Sequence, residues 1–488
     1  MPQPTAPREF QEKRWLALVL LCSAQFVVVL DASIVNVALP SIKEALSFSQ
    51  ENLSWVVNAY VLTFGGFLLL GGRLADLLGR RRVFMVGLGI VAVASLLAGF
   101  AATEGQLIAA RAAQGLGAAI ISPAALSIVT TTFSDGAERN KALGVWGAVA
   151  GSGGAAGVLL GGILTDGPGW EWVLWVNVPV SLFALFLSPR LIAETREEGE
   201  KRVFDVAGAV TITAALSILV YALVDATDAG WGSTQTIGLL ALSALLLAIF
   251  VAIELRTAKP LVPFSIFRIR TLTGANLVGL LVGASLFSMF FFISLYMQQV
   301  LGYSAIHAGL SYLPLALVIM ASAGIASQLV TKLGYKPVLA AGLAFICIGL
   351  VWFGQVSVGG GFTTDILGPS LFAAAGLGFA FVTTTIAAVS GVEEREAGLA
   401  SGLINTSQQI GGALGLAVLA TVANSRTEDL TAPGAPPSDN ALTEGFQAAF
   451  LGGAGIALLG FVLTLVLIRG ADSRAHMALG DGPAEEAA

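Results

Sequence analysis

Charge is what this sequence has least of. Only 11% of its 488 residues are Asp, Glu, Lys or Arg, against about a quarter in an ordinary soluble domain, which argues against a soluble multidomain protein. Histidine occurs twice, at His307 and His476, and cysteine twice, at Cys22 and Cys347. Two histidines cannot build an imidazole cluster, and two cysteines in separate apolar runs read as small buried hydrophobes, so neither a metal site nor a disulfide framework is expected. The chain also lacks a Gly-x-x-x-x-Gly-Lys-Ser/Thr phosphate loop, a nucleophile elbow and a histidine acid–base pair. No enzyme activity, no cofactor and no direct use of ATP are therefore expected. Basic residues do not outnumber acidic ones: 25 Lys and Arg against 31 Asp and Glu give a net charge of −6, and nucleic acid is not expected as a partner.

What is present is apolar. Hydrophobic residues make up 56% of the chain and the mean hydropathy is +0.84, so the implied solvent is lipid. Apolar residues run for about twenty positions without the alternation of barrel strands, which selects helices. The expected fold class is an all-α, multi-pass membrane protein. Windows bounded by charge or turn clusters give about fourteen spans, near 15–39, 53–72, 83–102, 106–130, 142–165, 172–189, 204–225, 235–255, 272–299, 309–331, 337–356, 366–389, 398–424 and 446–469. With the N-terminus inside, 22 Lys and Arg fall in inner segments, 2 in outer ones (Lys43 and Arg426), and Arg111 lies within a span. Cytoplasmic loops collect basic residues, so both termini are expected in the cytoplasm. The first apolar stretch is too long for the core of a cleaved signal peptide and reads as an uncleaved span.

The expected organisation is a cytoplasmic N-terminus (1–14), a six-helix bundle (15–189), a charge-rich cytoplasmic hinge (190–203), two additional transmembrane helices (204–255), a second cytoplasmic linker (256–271), a second six-helix bundle (272–469) and a disordered cytoplasmic tail (470–488). The outer loop at 425–444, with Pro433, Pro436 and Pro437, is expected to be mobile. A weak repeat links the inner loops GRLADLLGRRR (72–82) and SQLVTKLGYKP (327–337): each has a glycine seven residues after a small residue and a basic residue two after that glycine. Such a repeat suggests two bundles related in parallel, with a substrate site between them near the midplane.

Few side chains are placed to carry chemistry. Asp31 sits well inside the first span, in LDASIVNVALP (30–40), where a carboxylate costs several kcal/mol unless protonated, paired or wet. It is a natural proton carrier, the alternative being an Asp that holds helices together. Arg111, in RAAQGLG (111–117), lies about 8 Å from the outer end of its span and Asp31 about 12 Å from that of its own, so the two can pair or share a cavity. Gln114, one turn away, can reach the same place. Gly153, Gly157, Gly161 and Gly162 form a small-residue face for close helix packing, either sliding or static. Asp76 lies among Arg73, Arg80, Arg81 and Arg82, an arrangement able to brace helix ends in one state and release them in another. Phe287, Phe291, Asn405 and Gln408 are candidates, with Gln114, for lining a substrate cavity, although packing serves the aromatics equally well.

Over 15–467 these segments resemble, in order and spacing, the motifs of the major facilitator superfamily, and specifically its fourteen-helix drug:proton antiporters. The resemblance rests on 30–40, 72–82, 111–117 and 153–162, with WEWVLWVNVP (170–179) and QVLGYS (299–304) in support. It implies the major-facilitator fold of two six-helix bundles plus two extra helices. It also implies that Asp31 takes part in proton coupling, that Arg111 assists it, and that Gly72, Asp76, Gly79, Arg80 and Arg81 belong to an inner gate. Two positions depart from the family pattern: Val158 stands where proline usually follows the second motif glycine, and Leu77 where a basic residue usually follows the loop aspartate.

The expected function is proton-driven export of amphipathic, drug-like small molecules by alternating access. Its partners would be that substrate, protons and the bilayer, and the chain would act as a monomer in the cell membrane. Two alternatives stay open: a dedicated exporter of one natural product, lipid or siderophore, and a non-transporting membrane sensor or scaffold.

Overall fold

In hydrocarbon the backbone can satisfy its N–H and C=O groups only within itself. The computed structural model is accordingly helical across its described residues, which are 10, 12–48, 50–134, 136–194, 205–258, 260–432, 435–469 and 473. Fourteen long helices follow one another there: α1 (Arg14–Leu46), α2 (Trp55–Leu78), α3 (Arg80–Gly99), α4 (Glu104–Thr132), α5 (Ala137–Asp166), α6 (Asn177–Leu191), α7 (Val206–Ala229), α8 (Thr234–Glu254), α9 (Arg270–Leu295), α10 (Leu313–Leu333), α11 (Tyr335–Phe353), α12 (Leu367–Val389), α13 (Ala397–Asp429) and α14 (Asp439–Leu467). Short helical turns, Glu171–Trp175 and Ala305–Ser311, lead into α6 and α10. Starts are fixed by side-chain caps: Thr103, Ser233, Ser304 and Ser438 each accept a first-turn N–H, a contribution of about 1 kcal/mol each.

Among the described residues, twelve helices are long and apolar enough to cross a membrane, or thirteen if the bent α5 is one span. The helix outside that set is α13. Its Ser401, Asn405, Thr406, Ser407, Gln408 and Gln409 lower its apolarity, and it keeps them in company by packing on α2, α4, α9 and α14.

Helices α1 to α6 pack chiefly on one another, α1 on α5, α2 on α4, and α3 on α4 and α6. The later group repeats the arrangement, with α9 on α13 and α14, α11 on α12 and α14, and α10 on α12. The groups meet where α5 crosses α10 and α2 crosses α13, while α7 and α8 pack together and reach α2 and α13 through α7. The two loops with similar sequences share their turn. Gly79 (φ +102°) separates α2 from α3 and Gly334 (φ +78°) separates α10 from α11, a backbone region open to glycine at little cost.

Three segments outside the apolar windows carry structure that composition does not announce. Within the segment 256–271, Leu261, Val262 and Ile266 are buried, and the buried Glu254 accepts the Leu261 and Val262 N–H groups at 3.3 and 3.0 Å. The outer loop expected at 425–444 shrinks, because α13 runs to Asp429 and α14 begins at Asp439, with Arg426 and Glu444 paired at 2.6 Å between them. Charged and polar residues there extend helices beyond the apolar region; Pro433 lies outside the described residues. In the tail, Ser473 is buried and its Oγ accepts the Lys336 N–H at 3.2 Å. The rest of 470–488, most of the N-terminal segment and 195–203 of the hinge lie outside the described residues.

The glycine face of α5 is aimed mainly at α1. A Cβ on Gly153 would lie 2.8 Å from Val29 Cβ, one on Gly157 1.8 Å from Ser33 Oγ, and one on Gly161 2.7 Å from the Ile34 carbonyl, whereas Gly154 has open space. Gly162 faces the other bundle, where a Cβ would meet Ile306 at 2.9 Å. Gly157→Ala should therefore destabilise the protein by about 1–3 kcal/mol, while Gly154→Ala stays within about 0.5 kcal/mol. Thermal unfolding of both variants in the same detergent checks the contrast, and equal midpoints would remove the close approach.

Candidate functional site

Asp31 lies near the middle of α1 and is 2% exposed; Arg111, on α4, is fully buried. Their depths match, and Arg111 Nη1 donates to Asp31 Oδ2 at 2.7 Å. The remaining polar atoms of the pair are met from α1, α2, α4 and α6. Asn177 Nδ2, at the start of α6, donates to Asp31 Oδ1 at 2.5 Å, and Gln114 Nε2 donates to the same oxygen at 3.1 Å. Arg111 also donates from Nη1 to Gln114 Oε1 at 2.9 Å, from Nε to the Val56 carbonyl at 3.0 Å and from Nη2 to the Asp31 carbonyl at 3.3 Å. Gln114 Nε2 reaches Ser95 Oγ on α3 at 2.8 Å. The Tyr60 ring of α2 covers the guanidinium at 4.5 Å, and its hydroxyl donates to the Val28 carbonyl at 2.9 Å. Five helices thus meet at one ion pair. Three side-chain donors replace the water that an ionised carboxylate loses on burial, the condition under which a buried charge is tolerated.

Gln114 therefore belongs to this cluster. Its amide is spent inside the first bundle and it has no exposure. The other cavity candidates lie apart from it. Asn405 on α13 accepts from Ser122 Oγ of α4 at 3.2 Å and donates to the Ser401 carbonyl, a bond between bundles. Gln408 is buried with its backbone against α9, where a Cβ on Gly283 would lie 2.2 Å from the Gln408 carbonyl oxygen. Phe287 and Phe291 are exposed on α9, Phe287 against Gly412 and Phe291 edge-on to Phe292.

At the arginine-rich end the bundles are joined. Asp76, in the last turn of α2, accepts the Gly398 and Leu399 N–H groups at 3.0 and 2.9 Å, and Arg80 Nη2 pairs with the same carboxylate at 3.0 Å. Gly398 and Leu399 stand in the first turn of α13, whose N–H groups have no partner within the helix and carry the positive end of its dipole. The side chains of Asp76 and Arg80 are 3% and 7% exposed. Contact this close needs small residues: a Cβ on Gly72 would lie 2.3 Å from the Gly398 carbonyl oxygen. On the other flank Asn140 Nδ2 of α5 donates to Thr331 Oγ1 of α10 at 3.0 Å. Arg81 does not join the crossing. It donates to the Ile192 carbonyl at 3.1 Å and lies 3.6 Å from Glu194, beyond the end of α6 in its own bundle, and Arg82 lies 3.6 Å from the same carboxylate. Gly79 makes room for that carboxylate, since a Cβ there would lie 2.7 Å from Glu194 Oε1.

Sequence reasoning missed Tyr60, Ser95 and Asn177 in the cluster, and Gly398 with Leu399 at the crossing. One of these was within reach. Asn177 sits about 8 Å inside its span by the same rise-per-residue arithmetic that matched Arg111 to Asp31. The Gly398 and Leu399 contribution is made by backbone, and no residue type announces it.

Known proteins share this architecture. The sequence profile of the Major Facilitator Superfamily matches residues 21–416. The chain is 42% identical over 454 residues to the cephamycin export protein CmcT of Amycolatopsis lactamdurans, covering 92% of each chain. It is 38% identical over 478 residues to the puromycin resistance protein pur8 of Streptomyces alboniger, covering 97% of this chain and 94% of that one. Among solved structures, the human organic anion transporter MFSD10 superposes with a TM-score of 0.65 at 16% identity, over 94% of this chain and 100% of that one, a likeness of fold. With a family match across most of its length and twelve or more apolar helices, this chain is a multi-pass protein of the cell membrane and belongs to the major facilitator superfamily.

Proposed function

We propose that the chain is a proton-coupled antiporter that exports amphipathic, drug-like small molecules by alternating access. It would work as a monomer of two six-helix bundles and two extra helices, with fourteen spans and both termini in the cytoplasm. The observation that carries the reading is Asp31, an ionisable group sealed at the junction of five helices and matched to one buried guanidinium. The relatives named for antibiotic export and resistance support the export direction.

The chemistry follows from the bonds. A proton added to either Asp31 oxygen turns an acceptor into a donor that faces the donors of Arg111, Gln114 and Asn177, so at least one bond is lost. It also leaves the Arg111 charge buried without its counter-ion, a cost of about 3–5 kcal/mol when one partner of a buried pair is removed. A rearrangement of α1, α4 and α6 that readmits water relieves that cost. A factor of about ten in the ratio of two states needs only about 1.4 kcal/mol, so one proton is enough to bias the transporter. Asp76 supplies the other half. Its bonds to α13 exist only while the arginine-rich ends of the bundles touch, and they hold that end shut. Arg80 orients the carboxylate, Gly72 permits the approach and Gly79 sets the turn, while Arg81 anchors the loop to its own bundle. The glycines Gly153, Gly157 and Gly161 keep α5 close to the Asp31-bearing helix, so a movement of α1 is passed to α5 and, through Gly162, to the second bundle.

A second reading, export of a single natural product, is favoured by the 42% identity to a protein named for cephamycin export. A panel of amphipathic dyes and antibiotics tested in inverted vesicles with an imposed pH gradient separates the two, since a narrow exporter ignores generic dyes.

Asp31→Asn should abolish gradient-driven uptake into those vesicles and substrate-stimulated proton release, and should lower the thermal midpoint because Arg111 is left uncompensated. Adding Arg111→Met should restore much of the stability and none of the transport. Recovered transport in the double variant would overturn the proton-carrier role. Asp76→Asn keeps one acceptor but loses the charge and presents an NH2 group to an N–H, for a loss of about 1–3 kcal/mol in the closed contact. Turnover should fall about tenfold or more while substrate affinity from the cytoplasmic side holds or improves, and unchanged turnover would remove the gate. For topology, a cysteine at Ser438 should react with an impermeant thiol reagent applied outside whole cells and one at Arg190 should not. Labelling of Arg190→Cys from outside would invert the orientation.

A further inference from the structure

Between α8 and α9 the chain is basic with nothing to balance it. From Leu255 to Thr364 it has no acidic residue, and 255–271 alone holds Arg256, Lys259, Arg268 and Arg270. This segment joins the Glu254 end of α8 to the Arg270 start of α9, so it lies where two apolar helices leave the hydrocarbon. It is at the same end of the molecule as Asp76, because Arg73 Nη2 of α2 donates to the Pro260 carbonyl at 3.2 Å. Its two sides differ. Leu261, Val262 and Ile266 share one buried apolar cluster with Leu69 of α2 and with Leu399 and Ala400 of α13. Outward it shows Leu255 and Phe267, 71% and 38% exposed, together with exposed Arg256, Arg268 and Arg270. The turn Phe264–Arg268 is tied to α9 by Thr273 Oγ1, which donates to the Phe267 carbonyl at 2.8 Å, so Phe267, Arg268 and Arg270 are carried on one fixed piece of backbone. Among the described residues none of these three arginines is paired with a carboxylate, whereas Arg80, Arg81, Arg82, Arg395 and Arg426 all are.

We propose that this segment binds the headgroup of an anionic phospholipid in the adjoining leaflet, with the lipid phosphate against Arg268 and Arg270 and with Phe267 among the first acyl carbons. Guanidinium groups suit phosphate oxygens, which they meet with several donors at once. A cation near an anionic membrane surface contributes to binding as one held in solution does not, and an exposed apolar side chain beside it adds burial at the boundary between headgroups and acyl chains. The general preference of cytoplasmic loops for basic residues accounts for the arginines. It does not account for their standing unpaired beside exposed Phe267 on a turn fixed to α9, when the other cationic side chains of the chain's loops find carboxylates. The inner side of the segment gives the headgroup a route into the protein. Leu261, Val262 and Ile266 pack with Leu399, whose N–H group Asp76 accepts, so a lipid that holds the segment in place also steadies the contact between α2 and α13. That consequence rests on the gating role proposed for Asp76; the binding itself does not.

The test uses the purified full chain in a neutral detergent, titrated with short-chain phosphatidylglycerol, with the matched phosphatidylcholine and with glycerol phosphate, bound lipid being counted by native mass spectrometry. Phosphatidylglycerol should bind and raise the thermal midpoint, phosphatidylcholine should bind about tenfold or more weakly, and glycerol phosphate, which has no acyl chains, should not compete. Arg268→Gln with Arg270→Gln should weaken phosphatidylglycerol binding by about tenfold or more, whereas Arg268→Lys with Arg270→Lys should keep the larger part of it. Arg190→Gln with Lys332→Gln removes as much charge from exposed positions elsewhere at the same end and should leave binding as it was, with thermal midpoints confirming that each variant is folded. Equal binding of the two lipids, unchanged affinity on loss of Arg268 and Arg270, or an equal loss on removal of Arg190 and Lys332 overturns the site. Competition by glycerol phosphate overturns it as a lipid site and leaves a site for a free phosphate anion. The readout needs neither gradient nor substrate, so its failure is distinguishable from a failure of the proposed transport cycle.

Discussion

An ionised carboxylate in the interior of a helical membrane bundle must be solvated by protein, and the first half of this structure is arranged around that constraint. Asp31 is met by Arg111, Gln114 and Asn177, and Arg111 in turn by the Val56 carbonyl and the Tyr60 ring. These partners come from four helices besides its own once Ser95 on α3 is included. A bonded network that draws on five helices also fixes their mutual positions. The arrangement is specific rather than cheap: an apolar cluster of equal volume would be as stable or more so, which argues that the charge is kept for something other than stability.

Close packing without bulk is the second theme. Glycine brings α5 against α1, α2 against α13 and the turn at Gly79 against Glu194, and at each place a Cβ would strike backbone or side-chain atoms. Between helices in lipid, such contacts are a main source of attraction. They place the two kinds of contact differently. The α5–α1 seam lies inside one bundle and ties the Asp31-bearing helix to its neighbour, whereas the α2–α13 seam lies between bundles, where the bonds from Asp76 to backbone N–H groups close it. A carboxylate on a helix N-terminus is a contact of modest strength, about 1–3 kcal/mol. That is the range in which it can hold a state without making it permanent.

The polar inventory of α13 illustrates why composition and placement have to be read together. Its amides and hydroxyls make it the least apolar of the long helices, yet Ser401, Thr406 and Gln408 are buried, and Asn405 and Ser407 bond to Ser122 and Asn276 of other helices. A helix shielded from lipid by four neighbours has no need of an apolar circumference. Conversely, α8 is exposed over much of its length and almost wholly apolar, and it touches the rest of the protein mainly through α7.

The solvent, the helical class and the approximate limits of the long helices follow from the sequence, because the cost of an unpaired backbone or an unpaired charge in hydrocarbon leaves few other solutions. The sequence also picked out Asp31, Arg111 and Asp76, since a charge in an apolar run is visible wherever the chain later goes. The tertiary structure decided what those charges touch. That Gln114 bonds to Asp31, that Asn177 arrives from 146 residues away, that Arg81 turns to Glu194 while Arg80 stays with Asp76, and that Leu261, Val262 and Ile266 are buried all depend on distances between helices far apart in sequence. So does the partner of Asp76, which is the backbone at Gly398 and Leu399. Every residue carries the same N–H group, and only the position of a helix end distinguishes the two that matter.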